Sequence, residues 1–340
     1  MAPSMSDISG LERFYGWHKL VSNNFNNFKK NKFILLICIL IMTNKIYGQE
    51  KSFSFEDIQK VANKFEYSDH KFTNSDNLQI AYYKFSTERP VAKIMFIHGG
   101  GSYSKGYFSL AKTLNEKFNI ETILMDLVGH GNSQGKRGDC VSVESVYKDI
   151  KQLRELINVD SIPTFLGGHS SGGGLVLNYN SWGKDTSFRG FIFVSPEFGY
   201  KSKTAKKGRI DFAKVKIGKF ILNAFSGGSL NQHSYAVELN YPKEILDADK
   251  LIVSKLTVNM ANTLTPQNPK KQMSNIDKPI AIYIGENDEV FDSQKVVEYK
   301  TFQKNNSLKS FAEVVENENH LSILLNIGDR IGKKIIEWSK

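Results

Sequence analysis

Cysteine is nearly absent: the 340 residues contain two, Cys38 and Cys140. That excludes a disulfide framework and a cysteine-built zinc site. Cys38 lies inside an apolar segment, so no structural Cys38–Cys140 bridge is expected, and cysteine usage leaves the redox compartment open. Internal repeats and long low-complexity tracts are also missing, which confines expected disorder to the N-terminus. Acidic residues are the minority charge: 35 Asp and Glu stand against 45 Lys and Arg, a formal net charge of +10. A basic balance admits nucleic acid, an anionic membrane surface or an anionic substrate. The aromatic residues do not interleave with lysine in any nucleic-acid-binding module, so no nucleic-acid partner is expected. The length suits one large α/β domain with an insertion, or two modest domains.

No apolar run is long enough for an ordinary membrane-spanning helix. The longest, FILLICILIM at 33–42, follows Lys29, Lys30 and Lys32. A basic region followed by about ten apolar residues is the pattern of a signal peptide. Gly48 is small enough to precede a cleavage, leaving Gln49 as the new N-terminus. Residues 1–49 are therefore read as a leader that directs export, secreted or periplasmic, with an uncleaved N-terminal anchor as the alternative.

From residue 50 on, short β-like runs alternate with helical stretches. Strands are expected at 78–85, 92–97, 121–125, 163–166, 191–194, 279–284 and 311–315, and helices at 108–118, 141–157, 173–181 and 323–338. Such alternation predicts a mostly parallel central sheet flanked by helices. It lapses after Phe198. Residues 199–276 hold two amphipathic stretches, 210–225 and 248–262, and no convincing strand pattern, so a helical lid is expected between the first part of the core (50–198) and the second (277–340).

Gly168-His169-Ser170-Ser171-Gly172 fits the G-x-S-x-G nucleophile elbow. A serine on a sharp strand-to-helix turn needs small neighbours, and the two glycines supply the room. A serine hydroxyl is a weak nucleophile and needs a base. Two histidines follow Ser170. His233 falls in the insertion, whereas His320 falls just after the strand at 311–315, where such sheets build their sites. His320 is the expected base. A carboxylate must orient it; Asp288 follows the strand at 279–284, with Glu286, Glu289 and Asp292 as nearby competitors. The oxyanion needs aligned backbone donors. The Ser171 N–H is one, and the glycine-rich loop His98-Gly99-Gly100-Gly101 offers the other, with Gly100 preferred and Gly99 next. His98 reads as a residue that orients this loop, and Arg137 as one that pins the glycine-rich segment 129–138.

Taken together, His98-Gly99-Gly100, the run from Asp126 through Gly129-His130-Gly131-Asn132-Ser133-Gln134-Gly135-Lys136-Arg137-Gly138, and the elbow resemble the monoglyceride lipase and lysophospholipase branch of the α/β-hydrolases, including the S33-type serine aminopeptidases. The resemblance covers roughly residue 72 to the C-terminus. It implies a Ser170–Asp288–His320 triad, a helical lid, no cofactor or metal, and cleavage of carboxylic esters of monoacyl lipids. An acyltransferase or a peptidase would use the same triad, and a non-enzymatic binding protein on this fold would not need it intact. Within 199–276, lysines such as Lys203, Lys206 and Lys207 lie near apolar residues at helical spacing, including Ile217, Ile221 and Phe225. This raises an anionic membrane surface as a further expected partner.

Overall fold

Residues with no polar face to offer water become the centre of this molecule. The computed structural model describes residues 67–340 apart from 159, 184, 209–211 and 305–308. The leader expected at 1–49 lies outside the described residues. The chain enters through β1 (Ser68–Thr73) and β2 (Gln79–Phe85), then runs β3 (Ala92–Ile97), α1 (Phe108–Phe118), β4 (Ile120–Met125), α2 (Val143–Ile157), β5 (Thr164–His169), α3 (Ser171–Gly183) and β6 (Phe188–Val194). Strands β3, β4 and β5 are buried at every position. This is the pattern of strands covered on both faces. Helix boundaries follow local chemistry. Asn119 adopts a left-handed φ of 55° after α1. The Ser142 hydroxyl accepts the Ser145 N–H at the start of α2.

After the insertion the chain resumes with the buried strand at Ile280–Gly285 and closes through Phe311–Val315 and the helices Ile323–Asn326 and Gly328–Ser339. The helix expected at 323–338 is thus two helices, broken at Ile327. The segment between β6 and Ile280 departs further from expectation. It contains β7 (Ala213–Val215), α4 (Ile217–Phe225), β8 (Tyr235–Leu239), α5 (Lys243–Ala248), β9 (Lys255–Thr257), α6 (Val258–Leu264) and α7 (Pro269–Ser274). Strands β7, β8 and β9 form an antiparallel sheet of their own. The insertion is therefore mixed rather than helical. Strands of three to five residues are too short for alternation to register, and β7 sits inside the stretch 210–225 whose apolar spacing suits a helix.

With β10 as Ile280–Gly285 and β11 as Phe311–Val315, the main sheet has the order β1-β2-β4-β3-β5-β6-β10-β11. Only the β1–β2 and β2–β4 pairings are antiparallel. Strand β1 (SDHKFT) was not anticipated; it is polar and largely exposed, as suits a sheet edge that must not recruit another chain. The parallel order carries the C-terminal ends of β3, β5, β6, β10 and β11 to one rim, where the loops at 98–101, 169–171, 195–198, 285–292 and 316–322 begin.

Candidate active site

Ser170 occupies the single residue between β5 and α3, with a left-handed φ of 52°. A non-glycine residue there is strained, and such strain persists only where the surroundings over-determine it. The surroundings do so here: the Ser170 N–H donates to the Val194 carbonyl (3.0 Å), and the Ser170 carbonyl accepts from Gly173 (3.0 Å) and Glu197 (2.8 Å). The turn also depends on the glycines. A Cβ on Gly168 would lie 2.4 Å from the Gly172 carbonyl oxygen, and one on Gly172 would lie 2.4 Å from that of His98. Neither neighbour is a side chain that could move aside.

His320, on the loop after β11, brings Nε2 within 3.1 Å of Ser170 Oγ. Its Nδ1 lies 2.9 Å from Asp288 Oδ2. Asp288 follows β10 and is fully buried. Its second oxygen, Oδ1, accepts the N–H groups of Val290 (2.9 Å) and Phe291 (2.8 Å), so the carboxylate is locked in place. Burial works against a charged Asp288, but the His320 charge and these hydrogen bonds outweigh it and hold the carboxyl below its usual range. The same pairing acts in reverse on His320. Burial disfavours the imidazolium, yet Asp288, helped by Glu289 and Glu197, raises the histidine above its ordinary value.

The other carboxylates serve the frame. Glu289 accepts the His320 N–H (3.0 Å), Glu286 accepts the Asn317 N–H (3.3 Å), and Asp292 caps the short helix α8 (Ser293–Val297) by accepting the Lys295 N–H (3.2 Å). His233 does not join Ser170; it pairs with Asp139 (3.0 Å). Cys140 is buried and free. Among the described residues no group of three or more His, Cys, Asp or Glu side chains is placed to hold a metal.

The loop after β3 lies directly over the elbow. A Cβ on Gly99 would be 3.3 Å from Ser170 Cβ, and one on Gly100 would be 3.0 Å from Ser171 Oγ. The two glycines are not equivalent. The Gly99 N–H already donates to the Tyr107 hydroxyl (2.7 Å) and is committed within the protein. Ser171 opens α3, and its N–H, like others in a first helical turn, has no carbonyl one turn earlier to bond.

Tyr107 and His169 were not singled out in the sequence, and they tie the site together. Because Tyr107 Oη accepts from Gly99, its own proton is free for His169 Nδ1, 3.0 Å away. His169 must then carry its proton on Nε2, which faces the His320 carbonyl at 2.9 Å. Burial, reinforced by the His320 charge, pushes His169 down to about 3, so it stays neutral. A single hydrogen-bond chain thus runs from Gly99, behind Ser170, to the backbone of His320. His98 also acts as expected: its Nδ1 lies 2.9 Å from the Gly99 carbonyl, and its Nε2 accepts the Leu127 N–H (3.1 Å).

Segment 129–140 fastens the insertion to this rim. Arg137 donates to the Gly131 carbonyl (3.0 Å) and to the Leu251 carbonyl. Tyr235 donates to the Arg137 carbonyl (2.9 Å), and Asp139 accepts from Thr257 (2.7 Å). Lys206 is exposed, and its ammonium also donates to the Asp288 carbonyl (2.7 Å), so it supports the site.

A parallel sheet with a strained serine at a strand–helix turn, a histidine beside it and a buried carboxylate behind that histidine defines an α/β-hydrolase. The sequence profile of the serine aminopeptidase S33 family matches residues 88–321, and the chain belongs to that family. Rat monoglyceride lipase is 29% identical over 144 residues, 42% of this chain and 46% of the relative. Phospholipase YtpA of Bacillus subtilis is 27% identical over 122 residues, 36% of this chain and 47% of the relative. The chain spans less than half the length of the curated relatives it matches. A solved structure of a soluble variant of monoglyceride lipase from Saccharomyces cerevisiae, in complex with a substrate analog, superposes with a TM-score of 0.61 at 18% identity. It covers 82% of this chain and 94% of that one, and the likeness shows the shared fold.

Proposed function

We propose that the protein hydrolyses carboxylic esters of monoacyl lipids through an acyl-enzyme on Ser170. The observation that carries this is the line Ser170 Oγ–His320 Nε2 at 3.1 Å and His320 Nδ1–Asp288 Oδ2 at 2.9 Å. His320 takes the Oγ proton as the oxygen attacks the ester carbonyl, and Asp288 stabilises the imidazolium that forms. The oxyanion is received by the N–H groups of Gly100 and Ser171. His320 then protonates the departing alcohol, and water repeats the sequence on the acyl-enzyme. The names of the relatives, monoglyceride lipase and phospholipase, support a lipid ester as substrate.

The insertion supports a lid that meets its substrate at an interface. Helix α4 leaves Ile217 64% and Phe225 88% exposed, with Ile221 and Leu222 beside them. Lys214, Lys216 and Lys219 lie next to this face; Lys216 pairs with Glu238 (2.7 Å) and Lys219 donates to the Tyr235 carbonyl (2.9 Å), and a lysine near an anionic surface contributes about 1 kcal/mol. The surface this fits is a bilayer or micelle carrying negative lipid. The protein is expected to release fatty acid from a monoacylglycerol and to bind vesicles containing phosphatidylserine more tightly than neutral ones. The double variant Ile221→Asp, Phe225→Asp is expected to lose vesicle binding while cleaving p-nitrophenyl acetate at a rate within about twofold of the parent. Failure to cleave any monoacylglycerol in a chain-length panel would overturn the substrate class. Vesicle binding indifferent to lipid charge would overturn the anionic surface. For the apolar leader we propose export, and N-terminal sequencing of the mature protein from its native host is expected to begin near Gln49; a retained apolar segment would indicate an anchor instead.

A further inference from the structure

One polar atom at the elbow has no structural duty. Ser171 is 6% exposed, and among the described residues its Oγ has no hydrogen-bond partner. Burying a hydroxyl without a partner is unfavourable, and at the elbow a substrate oxygen can relieve that cost. The Oγ lies 3.0 Å from where a Gly100 Cβ would be, so it stands beside the loop residue assigned above as the second backbone donor. Leu256 Cδ1, from the insertion, lies 3.8 Å from the same point, and the Tyr241 hydroxyl donates to the Gly100 carbonyl at 2.9 Å. The nucleophile is the preceding residue. An acyl carbonyl attacked by Ser170 must place its oxygen near the backbone N–H of Ser171, and the side chain of that same residue is within reach of it.

We infer that the Ser171 hydroxyl is a third hydrogen-bond donor to the developing oxyanion, added to the N–H groups of Gly100 and Ser171. The inference rests on the serine-hydrolase reading above. A hydroxyl rotates freely and can turn its proton to the oxygen as charge accumulates. A donor that strengthens with developing charge accelerates the chemical step more than it aids ground-state binding. Ser171 is then a catalytic residue through its side chain as well as its backbone. No covalent bond to Ser171 and no net proton transfer are involved.

The test compares Ser171→Ala and Ser171→Thr with the parent on p-nitrophenyl butyrate. It also measures inhibition by a boronic acid, whose tetrahedral adduct carries the negative oxygen. Ser171→Ala is expected to lower kcat about 10- to 100-fold with KM within twofold. Boronic acid affinity is expected to weaken by a similar factor, and Ser171→Thr, which keeps the hydroxyl, to recover most of both. Tm of the alanine variant should stay level or rise, since an unpartnered buried hydroxyl has been removed. An unchanged kcat, a loss confined to KM, or a fall in Tm that parallels the fall in kcat would each overturn the third-donor role. Ser170→Ala, run alongside, separates the two claims: if it remains active the serine-hydrolase reading fails, whereas a dead Ser170→Ala with a fully active Ser171→Ala removes only the third donor.

Discussion

Ser170→Ala is expected to lower kcat at least about 10⁴-fold and to abolish labelling by a fluorophosphonate, with little change in Tm. The large kinetic effect follows from what Oγ does in this site. It stands 3.1 Å from His320 Nε2, so removing it takes away both the attacking atom and the proton that the base is placed to receive. The small structural effect follows from what the backbone does. The left-handed turn at Ser170 is held by the Val194 carbonyl and by the N–H groups of Gly173 and Glu197, none of which involves the side chain. Asp288 and His320 remain paired in the variant, since their contact does not pass through Oγ. Residues acting as one unit are strongly non-additive, so Ser170→Ala combined with His320→Ala should be scarcely slower than Ser170→Ala alone. Steady-state rates on a soluble ester, mass spectrometry of the probe-treated protein and thermal melting decide the matter. A variant that is still labelled would remove Ser170 as the nucleophile.

The legible parts of this site were those in which chemistry and chain order coincide. Ser170 announces itself because glycines at 168 and 172 are what a strained turn requires. His320 and Asp288 each follow a strand that alternation and apolar content made visible, and the placement of sites at the C-terminal ends of parallel strands did the rest. Contacts between distant segments left no local trace. Tyr107 looks like one aromatic residue ahead of an amphipathic helix, and His169 fills a motif position open to many residues. Only the fold brings both behind Ser170, where they link Gly99 to the His320 carbonyl. Lys206 sits in a lysine-rich stretch in which nothing local says that one ammonium reaches the Asp288 carbonyl. The three-stranded sheet of the insertion was hidden for a different reason. Its strands are stabilised by one another and by the loop at 129–140, for example through the Thr257 N–H donating to the Gly138 carbonyl at 2.9 Å, so local propensity had little say.

Asp288→Asn is expected to lower kcat/KM on the order of 10⁴-fold and to move the acid limb of its pH profile to lower pH. An ionised Asp288 accepts from His320 Nδ1–H at 2.9 Å, which leaves Nε2 unprotonated toward Ser170. An asparagine whose oxygen still holds the N–H groups of Val290 and Phe291 must present its NH₂ to Nδ1. The imidazole then carries its proton on Nε2, where it can no longer take one from Ser170. The folding cost is small because those two backbone bonds survive. The pH dependence has a definite sign. The base works only when neutral, so the rate falls as pH drops through the His320 pKa, which in the parent is raised despite burial because of the Asp288 charge. In Asp288→Asn that charge is gone and burial prevails, so His320 stays neutral to lower pH and the remaining activity persists there. Glu286→Gln and Asp292→Asn hold only the loop and the cap of α8, and should change the rate no more than a few-fold. Glu289→Gln should fall between, because it weakens the acceptor of the His320 N–H without touching the imidazole. Profiles of kcat/KM from pH 5 to 9 across the four variants, each normalised to active folded protein, provide the comparison. If Asp288→Asn keeps an acid limb as high as the parent's, or if one of the other three is silenced while Asp288→Asn is not, the carboxylate that governs His320 is not Asp288.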